Sequence, residues 1–408
     1  MDRALFVARL LSFAAIAGGC RPADPDSASR GLAPPAAAPA PVVAPGGDFA
    51  PGQDAALLAR CRAAAEYSRA HGGEVLLVLR EGVPVFSDAI DGFSTTTPHL
   101  LASGTKSFSG IAAAIAVDDG LLSFDERVSD TITEWRSDPR KSTITVRQLL
   151  SLTSGLESLG SAIDNPRNAR AAGITDRAEA SIGARLVADP GERFIYGPSS
   201  FYVFGELMKR KLAAARTGDR DVVAYLERKA FGPLGISPRF MRDEAGNANL
   251  PGGCRLSAAQ WATFGEMVRN GGVHAGTRIV GKASLAELLA PRSDGPGRTY
   301  GLTWWILFDG PDGADPEDEL AGDIAAERLE RRGGAVRERM AARIRERAAE
   351  SAADADIGEP LGVMAAGKGK QRLYVLPKAG LTVVRFGPLE GTRGYEDREF
   401  LARLLGGE

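Results

Sequence analysis

The sequence predicts an α+β fold in which an antiparallel sheet is assembled from both ends of the folded body, is flanked by helices, and has a mostly helical region inserted between its halves. Three observations predict it. β-rich runs come in pairs near both ends, helical periodicity fills the middle, and 44% hydrophobic against 25% charged residues supplies apolar material for a large core. The 408 residues carry 50 Lys and Arg against 52 Asp and Glu, a formal net charge of −2. That balance argues against a nucleic-acid partner, because phosphate neutralisation needs a basic surface. Three cysteines exclude a disulfide-stapled miniature fold, and three scattered histidines (His71, His99, His274) argue against a His-rich metal site. No cofactor or metal is expected, and hydrolytic chemistry in this chain calls for a base other than imidazole.

Residues 1–19 read as a signal peptide. Ala4 to Gly19 is mostly apolar, is broken by Arg9, falls short of the ~20 residues of a membrane span, and ends in small residues before Cys20. Cys20 stands where an export lipobox places its lipidated cysteine, although Ala17 sits where that pattern prefers Leu. Cys20 is therefore the candidate lipidation site, and the chain is expected to be exported, either periplasmic or held at the membrane by an N-terminal lipid. Residues 20–52, with the run PPAAAPAPVVAPGG, are expected to form a disordered tether, because proline fixes φ and lacks an N–H. Residues 53–408 form the folded body.

Within that body, Asp54 to Arg69 has helical spacing. Glu74 to Val78 and Val83 to Ile90 flank Glu81-Gly82 as a hairpin. Ser107 to Asp119 is an apolar helix, and Val146 to Leu152 another behind the N-cap candidate Thr145. Ala258 to Asn270 is a helix stopped by Gly271-Gly272. Arg372 to Leu376 and Leu381 to Phe386 form a second hairpin across Lys378-Ala379-Gly380, and Glu396 to Leu405 closes the chain as a helix. Residues 309–359 depart from this pattern. Glu and Arg interleave there, while Leu329, Val336, Met340 and Ile344 make a narrow apolar stripe interrupted by Gly333-Gly334. This charged helical insertion is expected to lie on the body, peripheral to the chemistry, with a lid or a partner-docking helix as the alternative.

The chemistry starts at Ser103-Gly104-Thr105-Lys106, which runs directly into the apolar helix. Positions i and i+3 share a helix face, so the Ser103 hydroxyl and the Lys106 amine meet. A serine hydroxyl is a poor nucleophile until a base takes its proton, and a lysine amine within reach can do so. The helix N-terminus favours the negative charge that develops. Alone, S-x-x-K is a common pattern that also fits an exposed Ser and Lys.

Three further blocks give it context. Ile144-Thr145-Val146-Arg147-Gln148-Leu149-Leu150-Ser151-Leu152-Thr153-Ser154-Gly155-Leu156 resembles the I-T-x-x-x-L-L-x-x-T-S-G-L block of the serine β-lactamase-like hydrolases. Pro190-Gly191-Glu192-Arg193-Phe194-Ile195-Tyr196 resembles the same family, with Phe201 and Gly205 at its spacing, and Gly301-Leu302-Thr303-Trp304-Trp305 is similar to its strand before the third motif. The group includes class C β-lactamases, D-alanyl-D-alanine peptidases and family VIII esterases, and the resemblance runs from about residue 55 to the C-terminus, less the charged insertion. It implies a β-lactamase/transpeptidase-like fold with Ser103 as the acylated nucleophile, Lys106 as its base and Tyr196 as a proton relay. It also implies that Lys368-Gly369-Lys370-Gln371 takes the third-motif position on an edge strand beside the nucleophile. There Lys368 would supply positive charge, with Gly369 beside it, and the backbone N–H groups of Ser103 and Gln371 would receive the oxyanion. The family places the strands at Thr303–Leu307 and Arg372–Leu376 side by side.

The sequence departs from the family at Tyr196-Gly197-Pro198, where the pattern is Y-x-N. Pro198 cannot bind a substrate amide, and Ser199, the nearest hydroxyl, would need a local shift to stand in. Lys370 stands where Gly is common. These departures favour a small carboxylic ester over a β-lactam or D-Ala cell-wall peptide as substrate, with a catalytically degraded cell-wall sensor or binding protein as the alternative function. No G-x-S-x-G occurs, so an α/β-hydrolase nucleophile elbow has no support. Gly362 to Gly369 nearly spells a P-loop but lacks the Ser or Thr after Lys368. His99 reads as a polar loop residue, and Cys61 and Cys254 are candidates for a disulfide in an oxidising compartment. A monomer is expected.

Overall fold

The computed structural model describes residues 54–160, 163, 166–291, 299–308, 334, 339–340, 359–390 and 394–406. Residues 1–53, which hold the expected signal peptide, Cys20 and the expected tether, lie outside them, as does nearly all of the 309–359 segment. Of its apolar stripe only Met340 is described, and it is exposed.

Helix α1 (Ala55–Ala70) starts where it does because the Asp54 carboxylate accepts from the N–H groups of Ala56 and Leu57. β1 (Val75–Arg80) and β2 (Val83–Ala89) form the first hairpin, with Glu81 and Gly82 both at positive φ (49° and 79°), the conformation that keeps a two-residue turn in step with strand twist. β3 (His99–Leu100) leads into a 3₁₀ turn, Ala102–Thr105, and then α2 (Lys106–Asp118), which is buried from Lys106 to Ala116. α3 (Val146–Leu150) is held by a capping box between Thr145 and Gln148. α4 (Arg177–Gly183) and α5 (Ser199–Ala214) pack together, followed by β4 (Arg239–Phe240), β5 (Cys254–Leu256) and α6 (Ala258–Arg269), itself capped by a Ser257–Gln260 box. A short hairpin, β6 (Val273–His274) and β7 (Thr277–Arg278), precedes α7 (Lys282–Leu289).

The remaining strands are β8 (Trp305–Phe308), β9 (Pro360–Gly367), β10 (Gln371–Leu376) and β11 (Leu381–Phe386), and α8 (Asp397–Leu405) closes the chain. They join β1 and β2 in a six-stranded antiparallel sheet of order β2-β1-β11-β10-β9-β8, so both ends of the body do build one sheet. Alternation along β10 assigns its faces. Leu373 meets Gly265 of α6, where an added Cβ would come within 2.6 Å of the Leu373 side chain, whereas Tyr374 stacks on Phe400 of α8 at 5.5 Å. The sheet is thus sandwiched between α6 on one face and α1 with α8 on the other.

One expectation about the sheet is corrected. The segments at 303–307 and 372–376 are not neighbours, because β9 lies between them and pairs with both. β9 escaped the sequence reading because its core, Gly362-Val363-Met364-Ala365-Ala366-Gly367, is poor in β-branched and aromatic residues.

Candidate active site

Ser103 sits in the 3₁₀ turn before α2 rather than in the helix itself, behind Ala102, whose φ of +46° lies in the sparsely populated left-handed region. In a 3₁₀ turn, side chains at i and i+3 eclipse. Lys106 Nζ accordingly donates to Ser103 Oγ at 3.0 Å and also to the Pro251 carbonyl at 2.8 Å. Lys106 is buried, Ser103 is half-buried, and among the described residues no carboxylate pairs with Lys106. Aromatic faces occupy that space instead: Nζ lies 4.7 Å from the Tyr196 ring centre and 5.4 Å from that of Phe201.

The segment 249–254 holds this turn in place, and the sequence reading missed it. Leu101 N–H donates to Cys254 O (2.9 Å), Cys254 N–H donates to Thr105 Oγ1 (3.1 Å), and the Asn249 side chain accepts from Gly252 N–H (3.0 Å), shaping the loop that presents Pro251 O. The available signal was Pro251-Gly252-Gly253 just before a short β run. From the other side Trp261 abuts Gly104, where a Cβ would fall 2.8 Å from the indole.

Tyr196 reaches Lys106 from the loop before α5. Its ring stacks on Trp305 of β8 (6.0 Å, 24°), and Trp305 is in turn held edge-on by Tyr300 (4.8 Å) and flanked by Phe194 (6.1 Å). Pro198 occupies the N-cap of α5 with φ −84°. Ser199 does not replace the missing Asn: it is buried, and its hydroxyl donates to the carbonyls of Glu157 and Ser158 (2.7 and 2.8 Å). Ser200 is likewise engaged, with Ser154 at 3.0 Å.

The third-motif candidates fall across the β9–β10 turn and the start of an inner strand. Lys368 and Gly369 lie in the turn between β9 and β10; Lys368 is exposed, and no hydrogen bond or ion pair joins it to Ser103 or Tyr196 among the described residues. Gln371 starts β10, an inner strand, and its side chain is spent on the carbonyls of Gly387 and Gly369 and on the Gly387 N–H. The backbone that meets the Ser103 turn is the end of β9. A Cβ on Gly367 would collide with Leu101 O and lie 3.0 Å from Gly104 N. The β8 register ends at Met364, so Ala365–Gly367 has no strand beyond it on that side among the described residues.

His99 is not a loop residue. It is buried on β3, stacked on Phe386 at 4.3 Å and 3.3 Å from the Glu74 carboxylate, and burial pushes its imidazole below the usual range. Cys61 and Cys254 are both free, and burial raises both thiols, that of Cys61 to about 11. Among the described residues no group of three or more His, Cys, Asp or Glu is placed to hold a metal ion.

Residues 56–386 match the Beta-lactamase family. Protein flp of Staphylococcus aureus strain MW2 is 31% identical over 121 residues, 28% of this chain and 24% of its own length; the chain thus matches about a quarter of that curated relative. Two solved structures share the fold. EstCE1, a hydrolase with promiscuous acyltransferase activity, aligns at TM-score 0.57 with 18% identity over 86% of this chain and 97% of its own. A D-stereospecific amidohydrolase from Streptomyces sp. aligns at TM-score 0.57 with 14% identity over 86% and 99%.

Proposed function

Because the chain belongs to the Beta-lactamase family, we propose that it is a serine hydrolase that cleaves small carboxylic esters through an acyl-Ser103 intermediate. The observation that carries this reading is the 3.0 Å contact between the buried Lys106 Nζ and Ser103 Oγ, with the rings of Tyr196 and Phe201 beside the amine. In its amine form Lys106 takes the hydroxyl proton as Ser103 Oγ attacks the substrate carbonyl carbon, and the carbonyl π pair moves onto oxygen. The N–H of Ser103 and the free end of β9 receive that oxyanion, a contribution of ~3–4 kcal/mol per donor in such sites. Collapse expels the alkoxide, protonated through Lys106 and Tyr196. Water, deprotonated by the same pair, then attacks the acyl carbon and returns Ser103 with the free acid.

The preference for esters rests on what surrounds Tyr196. With Pro198 in place of Asn and the Ser199 hydroxyl turned to Glu157 and Ser158, no side chain at that position is left to orient an amide. An ester has the better leaving group and needs less positioning. The same observation favours the second reading, a binding protein for cell-wall peptides that no longer turns over. One experiment separates them. A fluorophosphonate labels wild type and not Ser103→Ala, p-nitrophenyl ester turnover falls to background in Ser103→Ala, and Ser107→Ala retains most of it. Nitrocefin should show a lower kcat/KM than the p-nitrophenyl esters. Full ester activity in Ser103→Ala defeats the mechanism, and a labelled wild type with no turnover of any ester supports the binding protein. We propose further that Cys20 carries a lipid anchor, tested by release of the Cys20→Ser chain from membranes.

A further inference from the structure

The end of β9 that touches the nucleophile turn is held from the opposite face of the sheet. Arg372, fully buried on β10, donates from Nη1 to Gly367 O at 3.1 Å and to Gln371 O at 3.3 Å, spanning the mouth of the β9–β10 turn. Its Nε and Nη2 pair with both oxygens of Asp397, at 2.7 and 2.9 Å. Asp397, the first residue of α8, is itself buried, accepts from the Tyr374 hydroxyl, and has Lys370 Nζ 3.7 Å away. Gly367 is therefore confined between two fixed surfaces. Its α-carbon side meets Leu101 O and Gly104 N of the nucleophile turn, while its carbonyl is bound to a guanidinium that cannot swing.

A buried ion pair seldom stabilises a fold more than apolar residues of the same volume would, so stability alone is a weak reason for one here. A two-pronged Arg–carboxylate pair does impose direction. We propose that Arg372, oriented by Asp397, is a positioning residue that sets the Gly367 peptide against the Ser103 turn and thereby fixes the strand side of the oxyanion site. This rests on the reading of Ser103 as the nucleophile.

The test compares the full chain in wild type, Arg372→Lys, Arg372→Met with Asp397→Leu, and Arg385→Lys, using a p-nitrophenyl ester with active sites counted by fluorophosphonate. Arg385 is the control. It is equally buried, lies directly opposite Arg372 on β11, and binds Ser68, Lys370 O and His71 O rather than Gly367. The expected result is a kcat per counted site roughly tenfold or more below wild type in both Arg372 variants, with KM within about twofold, and an unchanged kcat in Arg385→Lys. Counting sites keeps kcat defined for a poorly folding variant, and the double variant removes both charges of the Arg372–Asp397 pair together. Wild-type kcat in either Arg372 variant overturns the proposal. So does an equal fall in Arg385→Lys, or labelling of Arg385→Lys when neither Arg372 variant can be labelled. Failure of the nucleophile reading is seen separately, as labelling that survives Ser103→Ala, and it takes this proposal with it.

Discussion

Ser103 and Lys106 meet because they stand three positions apart on a turn tight enough to eclipse their side chains, and that much is local. Gly367 is the opposite case. Nothing near it in sequence announces a role, yet 264 residues after Ser103 its backbone packs so closely on the Ser103 turn that a methyl group has no room. Gly367→Ala should push β9 away from Ser103. We expect kcat to fall about a hundredfold while unfolding experiments register an overpacking cost of only ~1–3 kcal/mol. Activity within a few-fold of wild type would mean the strand end does not matter. Lys368, by contrast, looked promising in the sequence because its charge suits a carboxylate, and the hairpin turn carries it to the surface.

At the scale of elements, β8 earns its place by holding Tyr196. Trp305 is buried on that strand and offers its face to the phenol ring. Trp305→Leu should cost ~2–4 kcal/mol of stability and, because the ring loses its backing, lower kcat about 10- to 100-fold; stopped-flow acylation together with thermal unfolding checks both. Helix α8 contributes through Asp397. Burial alone would raise this carboxyl, but Arg372, Lys370 and the Tyr374 hydroxyl overcome it and hold it down at about 2, against an ordinary value of 3.8. A depressed carboxyl contributes stability that is fully present above its unfolded value and is lost as pH falls through the folded one. The wild-type Tm should therefore drop between about pH 4 and pH 2. Asp397→Ala should be less stable at neutral pH by ~3–5 kcal/mol, with a flatter acid limb, because the buried arginine loses this two-pronged carboxylate. Parallel acid limbs in the two proteins would show that other carboxylates dominate, the one at Glu134 first, which Arg210 also holds at about 2.

For the whole molecule, the register of β8 with β9 bears on the long charged segment. Phe308 pairs with Pro360, so residues 309–359 leave and re-enter the sheet at adjacent points. Joining those points takes only a short loop. Replacing Gly313 to Ala353 by a brief Gly/Ser linker should leave folding and p-nitrophenyl acetate hydrolysis within about threefold of wild type, since closing a shorter loop costs less entropy. An unfolded product, or a folded one inactive on every ester, would make the segment integral to the body.

By itself the sequence determined the elements whose causes are local. Asp54 and the Thr145–Gln148 pair mark helix starts through their own capping bonds, Glu81-Gly82 sets a hairpin through its φ angles, and Ser103 and Lys106 come together within one turn. Tyr196 was legible for a different reason, through a motif resemblance, and its contact with Lys106 is tertiary. Only the tertiary structure decided which backbone faces the Ser103 turn. β9 is built of small residues with weak strand preference, and it is a strand because β8 and β10 pair with it on both sides. The roles of Pro251, Gly367, Arg372 and Asp397 likewise depend on contacts between segments far apart in the chain. No period or motif encodes such contacts, because the energy that selects them is released only when the sheet and its covering helices close together.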